Sequence, residues 1–342
     1  MMKKVAVLLF NLGGPLESKD VKPFLYNLFK DKYIISLPFG LRHFVARLIS
    51  TTREKPAQAN YNFMGGGSPI LAQTQAQAEA LAAHCQKTIK GAEVKTFIGM
   101  RYWHPFVEDT VKEIETWAPD EIVLLPLYPQ FSKTTTLSSL VAFKAAYKGR
   151  AKVTAVCCYP ENDFFIKAQV DLIRAAIKDI KNPNGYRILF SAHGLPEKVI
   201  QEGDPYKAQV EATVAKVMAE LNSDIDHVIC YQSRVGPLKW IGPATDDTIT
   251  QTGKSGKNIV LVPIAFVSEH IETLVELDIE YKHLADEAGV TDYIRVPAVG
   301  TNPDYIRALG DQVLKALATT DAVISDHACA TCHKHCPKLK AA

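Results

Sequence analysis

His193 stands just after an apolar run ending at Phe190, between Ser191 and the turn Gly194-Leu195-Pro196. A histidine at a strand end can fix one ring nitrogen on a neighbour and offer the other to a proton or a metal ion. A second cluster, Glu269-His270-x-Glu272-x-x-x-Glu276-x-x-x-Glu280, begins where another apolar run gives way to helical spacing. Steps of three and four put Glu269, Glu272, Glu276 and Glu280 on one side of a helix, with Asp278 slightly off it. Like charges so spaced repel, and they need cations, protons or solvent beside them. On an ordinary surface helix solvent suffices; at the ligand-binding edge of a sheet the stripe reads as a path for a divalent metal or for protons. The third cluster is Cys329-x-x-Cys332-x-x-x-Cys336, interleaved with His327, His333 and His335. Three thiolates at this spacing suit a soft metal, and a fourth ligand would complete an iron–sulfur cluster or a tetrahedral zinc. Candidates for that fourth ligand are Cys157 and Cys158, then Cys230 or Cys85.

Other side chains suit holding a ligand. Arg53, Arg101 and Arg234 could grip carboxylates bidentately, and Tyr61, Tyr102, Trp103 and Trp240 could lie against a large flat apolar molecule. The segment from Tyr33 to Ile49 holds more apolar residues than a connection needs, which fits core, a lip for a hydrophobic substrate, or contact with a membrane surface.

These groups need a scaffold, and the chain supplies eight short apolar runs rich in β-branched residues, each closed by Gly, Pro, Ser or a polar cluster. Four are Val5 to Phe10, Val94 to Met100, Glu121 to Leu127 and Lys152 to Tyr159; four more are Tyr186 to Phe190, His227 to Tyr231, Asn258 to Ala265 and Asp292 to Val296. Helical spacing fills the intervals, as in Gln73 to Lys90, Phe164 to Ile180, Lys207 to Leu221 and Glu272 to Ala288. The alternation predicts an α/β fold of two similar doubly wound halves, each a four-stranded parallel sheet flanked by helices. The expected domains are residues 1–163 joined by a returning helix at about 303–320, then 164–302, then a cysteine-rich tail at 321–342. In such sheets ligands bind beyond the carboxyl ends of the strands, where His193 and Glu269-His270 fall. No glycine loop matches G-x-G-x-x-G or G-x-x-x-x-G-K-[ST], so dinucleotide and P-loop readings lose their support.

Composition narrows the class. The chain has 342 residues, 47% of them apolar, and its 39 Lys and Arg nearly balance 37 Asp and Glu. That describes a globular protein with large cores, without the basic excess a nucleic-acid partner asks for. No apolar stretch reaches the roughly 18 residues of a membrane span. Met-Met-Lys-Lys before Val5 imitates a signal peptide, but the apolar run is short and reads as a first strand. Seven cysteines, an odd number with three near the end, point to a reducing cytoplasm rather than a secreted disulfide framework.

Several motifs in order along nearly the whole chain resemble those of the ferrochelatases. They are Leu9-Phe10-Asn11-Leu12-Gly13-Gly14-Pro15, Gly65-Gly66-Gly67-Ser68-Pro69-Ile70, Met100-Arg101-Tyr102-Trp103-His104-Pro105, Ser191-Ala192-His193-Gly194-Leu195-Pro196, Tyr231-Gln232-Ser233-Arg234-Val235-Gly236-Pro237 with Trp240, and Phe266 through Leu274. The resemblance implies two Rossmann-like halves enclosing a porphyrin cleft, and insertion of Fe(II) into protoporphyrin IX with release of two protons, the terminal step of haem synthesis. His193 and Glu272 match the family's central pair, with His193 as proton acceptor or metal donor. Glu269, His270, Glu276 and Glu280 match a proton or metal route. Leu12, Tyr61, Arg101, Tyr102 and Trp240 match cleft-lining positions, and Arg53 and Ser233 match positions near the propionates. Leu12 replaces the Met of some relatives and keeps an apolar contact.

The cysteine tail is similar to the [2Fe–2S]-binding end of animal and some bacterial members, with zinc the alternative occupant. Animal members take one ligand from the loop after the third strand, where this chain has Lys133. The resemblance to certain bacterial members therefore favours Cys158 over Cys157 beside Cys329, Cys332 and Cys336. The rival readings are a coproporphyrin III ferrochelatase, a chelatase for another metal or tetrapyrrole, and a non-catalytic haem or iron–sulfur carrier. The expected location is the cytoplasm, with peripheral contact of residues 33–49 with the inner membrane, and a homodimer is compatible with the sequence.

Overall fold

The computed structural model describes residues 2–328. The apolar runs become parallel strands because both faces of such strands are covered, which allows continuous rather than alternating hydrophobicity. From Val5 to Phe10 no residue is more than 1% exposed. The strands are β1 (Lys3–Asn11), β2 (Ala92–Met100), β3 (Glu121–Pro126), β4 (Lys152–Val156), β5 (Tyr186–His193), β6 (Asp226–Gln232), β7 (Asn258–Pro263), β8 (Tyr293–Arg295) and β9 (Val323–Ile324). The helices are α1 (Val21–Phe29), α2 (Phe39–Asn62), α3 (Ile70–Thr88), α4 (Val107–Trp117), α5 (Ser138–Ala146), α6 (Asp163–Ile177), α7 (Glu197–Gln201), α8 (Tyr206–Leu221), α9 (Thr245–Lys254), α10 (Ile271–Leu274), α11 (Tyr281–Glu287) and α12 (Pro303–Ala318).

The described chain divides into two units, one holding residues up to Cys158 with Leu309–Ser325, the other holding Tyr159–Ala308 and residues 326–328. The first unit carries a parallel sheet of order β2-β1-β3-β4-β9, with Leu8, Phe10, Val111, Ile114 and Phe143 in its core. The second carries β6-β5-β7-β8, around Leu189, Ile249, Leu261 and Leu277. The order second, first, third, fourth thus occurs in both. Each sheet reverses its winding at its first strand, so each has a switch point between the carboxyl ends of that strand and its third, β1 and β3 or β5 and β7.

Two expectations need correction. The first sheet has five strands rather than four, because Val323 and Ile324 of the expected tail pair with Ala155 and Val156 along the free edge of β4. The helix expected over Glu272 to Ala288 is broken: α10 ends at Leu274, a π-helical turn covers Glu276–Glu280, and α11 follows. A π turn inserts an extra residue and shifts the faces. Glu269 precedes the helix, so the four carboxylates do not share one side.

Candidate active site

The second unit's switch point brings the central pair together. His193 is the last residue of β5, and the loop after β7 leads through Glu269 and His270 into α10, whose second residue is Glu272. His193 Nδ1 and Glu272 Oε2 lie 3.0 Å apart, with side chains 39% and 26% exposed. Burial works against charge on both, yet mutual attraction and the hydrogen bond prevail: Glu272 falls to about 2, and His193 rises above its ordinary value, helped by Glu276. An ionised Glu272 only accepts, so Nδ1 carries the hydrogen and the lone pair of neutral His193 sits on Nε2.

The backbone of Glu272 is fixed from two directions. Its N–H donates to Nδ1 of His270, the N-cap of α10, at 3.1 Å, and Thr273 Oγ1 accepts from the His270 N–H at 2.9 Å. Burial lowers the His270 pKa, and the Nδ1 contact puts its remaining proton on Nε2. From the other side, Gln232 Nε2 donates to the Glu272 carbonyl and to Glu276 Oε2, both at 3.0 Å, while Ser191 Oγ donates to Gln232 Oε1 at 2.8 Å. Glu276 also accepts from Ser233 N at 2.8 Å, Ser233 Oγ at 2.6 Å and Tyr281 Oη at 2.9 Å. Burial and the neighbouring Glu272 raise its pKa.

Glu269 Oε1 accepts from Arg295 Nη1 at 2.5 Å and from Ala298 N at 2.9 Å, and Arg295 also forks onto Asp278. Burial alone would raise Glu269; hydrogen bonding and the Arg295 charge bring it below its usual range. Glu280 is exposed at the end of the π turn. No group of three or more His, Cys, Asp or Glu side chains among the described residues forms a ready metal site. Trp240 lies over the turn after His193: Ile241 N donates to Leu195 O, and a Cβ on Gly194 would sit 2.8 Å from Gln232 O and 3.3 Å from Trp240 Cε3. Only glycine allows that approach.

In the first unit Leu12 and Arg101-Tyr102 meet at the ends of β1 and β2, where Arg101 N donates to Asn11 O and Tyr102 N to Leu12 O. Arg101 Nη2 pairs with the buried Asp31 at 2.8 Å, and its Nε donates to Ser138 Oγ at 2.6 Å. Tyr102 is fully buried, its hydroxyl donating to Asp31 at 3.0 Å. Arg53 is exposed on α2, Tyr61 is buried near its end, and Ser233 and Trp240 belong to the second unit. Cys158 is buried in the first unit, whereas Cys329, Cys332 and Cys336 lie outside the described residues. Sequence reasoning missed Gln232, Arg295 and Asp31 as positioning groups, although Gln232 stands in the motif that supplied Ser233.

A doubly wound unit with a histidine–carboxylate pair at its switch point, in a chain with two sheets of matching strand order, has the fold of the metal chelatases. Among solved structures it is similar to SirB from Bacillus subtilis with Fe3+, at TM-score 0.54 and 12% identity over 93% of this chain and 96% of that one. It is also similar to CbiX, described as the terminal enzyme for biosynthesis of siroheme in denitrifying bacteria, at TM-score 0.50 and 15% identity, covering 92% of this chain and 100% of that one. The ferrochelatase family model matches residues 4–317, and the chain belongs to that family. It is 54% identical over 325 residues to the ferrochelatase of Caulobacter vibrioides (strain NA1000 / CB15N), covering 95% of this chain and 94% of that protein. The ferrochelatase of Phenylobacterium zucineum is 52% identical over 334 residues, covering 97% of each chain.

Proposed function

We propose that this chain inserts Fe(II) into protoporphyrin IX to give protohaem, with His193 taking a pyrrole proton and Glu272 holding and charging the imidazole. The 3.0 Å bond between His193 Nδ1 and Glu272 carries the reading, because it commits one nitrogen and leaves Nε2 as the acceptor. The raised pKa of His193 strengthens Nε2 as a base. A flat macrocycle holds two N–H groups inside a rigid ring, so the barrier lies in bending the ring, moving protons and stripping water from iron; an enzyme that binds the bent ring favours the transition state. His193→Ala should abolish haem formation in an anaerobic assay with Fe(II) and protoporphyrin IX while leaving the folded spectrum intact. Full activity in that variant would remove the assignment. Coproporphyrin III assayed beside protoporphyrin IX separates the two ferrochelatase branches.

The cysteines support a [2Fe–2S] cluster on Cys158, Cys329, Cys332 and Cys336. Cys158 Sγ lies 3.2 Å from Ser325 Oγ, four residues before Cys329, and this favours Cys158 over its neighbour Cys157. Four thiolates suit a [2Fe–2S] cluster as they suit zinc, and the cluster when bound supplies one-electron chemistry that metal insertion at constant Fe(II) does not use. Cys158→Ser should bleach the visible absorption of purified protein and Cys157→Ser should keep it. A membrane contact rests on α2, where Phe39, Leu41, Phe44 and Leu48 are 72%, 52%, 66% and 54% exposed. No helix among the described residues is long and apolar enough to cross a membrane, so the reading is of a surface contact.

A further inference from the structure

The last described stretch of chain runs beside residues 155–162 contact for contact. Ala155 and Val156 pair in parallel with Val323 and Ile324; Ala155 N donates to Ala322 O at 2.9 Å and Cys157 N to Ile324 O at 2.8 Å. Cys158 then meets Ser325. Beyond it Asn162 Nδ2 donates to Asp326 Oδ2 at 3.0 Å, and His327 Nδ1 meets Glu161 Oε2 at 2.5 Å. The Asn162 amide is not free to turn, because its Oδ1 caps α6 by accepting from Phe164 N at 3.1 Å and Phe165 N at 3.2 Å. Its NH2 is thereby aimed at the strap. His327 and Glu161 are 17% and 27% exposed, which shelters their contact from the solvent that weakens surface pairs.

A strand of two residues is too short to hold itself on a sheet edge. The side-chain contacts at Asp326 and His327 therefore carry much of the docking. Beyond Ser325, four residues of extended chain reach at most about 14 Å, so holding Ser325 beside Cys158 keeps a ligand at position 329 within tether reach of it. A tethered ligand has a high effective concentration only while its tether is held within reach.

We propose that Glu161 and Asn162 are docking residues for a C-terminal strap, residues 322–328, which they hold through His327 and Asp326 so that the cysteines that follow are delivered to Cys158. The proposal rests on the cluster reading above. Neither residue is a metal ligand in it; both are positioning residues, and their effect is on retention of the cluster rather than on its chemistry.

The test compares the full-length wild type with Glu161→Ala and the double variant Glu161→Ala/Asp326→Ala, purified anaerobically and reconstituted with iron and sulfide. Amide exchange by mass spectrometry reads the strap directly, through the N–H groups of Ala155 and Cys157 that donate to it. The double variant should exchange there at least tenfold faster than wild type, with peptides of β5 and β7 unchanged. Its visible absorption should decay several-fold faster under an iron chelator, and Glu161→Ala alone should fall between. Unchanged exchange, or unchanged cluster decay despite faster exchange, overturns the docking role while the cluster stands. A wild type that takes up no iron and sulfide overturns the cluster reading and this proposal with it, whatever the exchange shows.

Discussion

Replacing Glu272 by Gln keeps the shape of the central pair and removes its charge, so the effect on His193 isolates the electrostatic coupling. Glu272 is held at about 2 against an ordinary 4.5, which corresponds to about 3 kcal/mol of interaction favouring its charged form. The burial it overcomes acts in the opposite direction, and His193 supplies the larger part of the attraction, with His270 adding to it. With His193 39% exposed, solvent screening leaves roughly half. Coupling is reciprocal, so the same free energy supports the proton on His193, and Glu272→Gln should lower its pKa by about one pH unit. The sign follows from the opposing terms: burial pushes His193 down, and the variant removes most of what pushes it up. The stability the pair contributes is present below the unfolded histidine value and lost as pH rises through the raised folded value. On the acid side it is present above the unfolded value of Glu272 and lost as pH falls through about 2. The assay is an NMR titration of the His193 ring proton, assigned by its loss in His193→Gln. A midpoint within about 0.3 of wild type in Glu272→Gln would refute the coupling and the argument that Nδ1 is committed to a carboxylate.

Three further perturbations test other parts of the argument. Gly194→Ala places a Cβ 2.8 Å from Gln232 O, so the end of β6 at Gln232 must shift and Trp240, at 3.3 Å, must give slightly; a loss of about 1–3 kcal/mol in urea unfolding and a weaker porphyrin KM are expected. Arg295→Met leaves Glu269 and Asp278 without their shared cation at a site where the arginine is 15% exposed, and a loss of about 3–5 kcal/mol should appear as a large fall in Tm. Phe44→Asp with Leu48→Asp on α2 should abolish co-sedimentation with phosphatidylglycerol vesicles while leaving insertion into detergent-dispersed porphyrin unchanged; equal sedimentation of variant and wild type would end the membrane reading.

The strands were legible because parallel strands buried on both faces leave uninterrupted apolar runs, and Val5 to Phe10 is such a run, short, partly β-branched and closed by Asn11 to Pro15. The position of His193 at the carboxyl end of a strand followed from that alone; that this end is a switch point needed the strand order. The expected helix after Glu269 failed because its periodicity assumes 3.6 residues per turn, and nothing in Glu276-Leu277-Asp278-Ile279-Glu280 announces a π turn. β9 was invisible for a different reason: Val323-Ile324 is too short to register as a run and forms only because β4 offers it an edge. Asp31, Gln232 and Arg295 stand far along the chain from the groups they hold, 70 positions in the case of Asp31 and Arg101, and single-sequence spacing carries no trace of such pairs.

The fifth strand of the first sheet also bears on synthesis. β4 has its outer neighbour only when Val323 and Ile324 arrive, about 165 residues after Cys158. At roughly 5–20 residues per second the ribosome takes about ten to thirty seconds to make that stretch, during which the sheet of the N-terminal unit carries an unpaired edge. The second unit's sheet, by contrast, is complete once β8 has emerged, before β9 exists. The order of sheet completion is therefore inverted among the described residues: the sheet begun first is finished last. An exposed edge is a site for wrong pairing, and the exposed Lys152 at the start of β4 is the kind of charge that keeps such an edge from templating another chain while it waits.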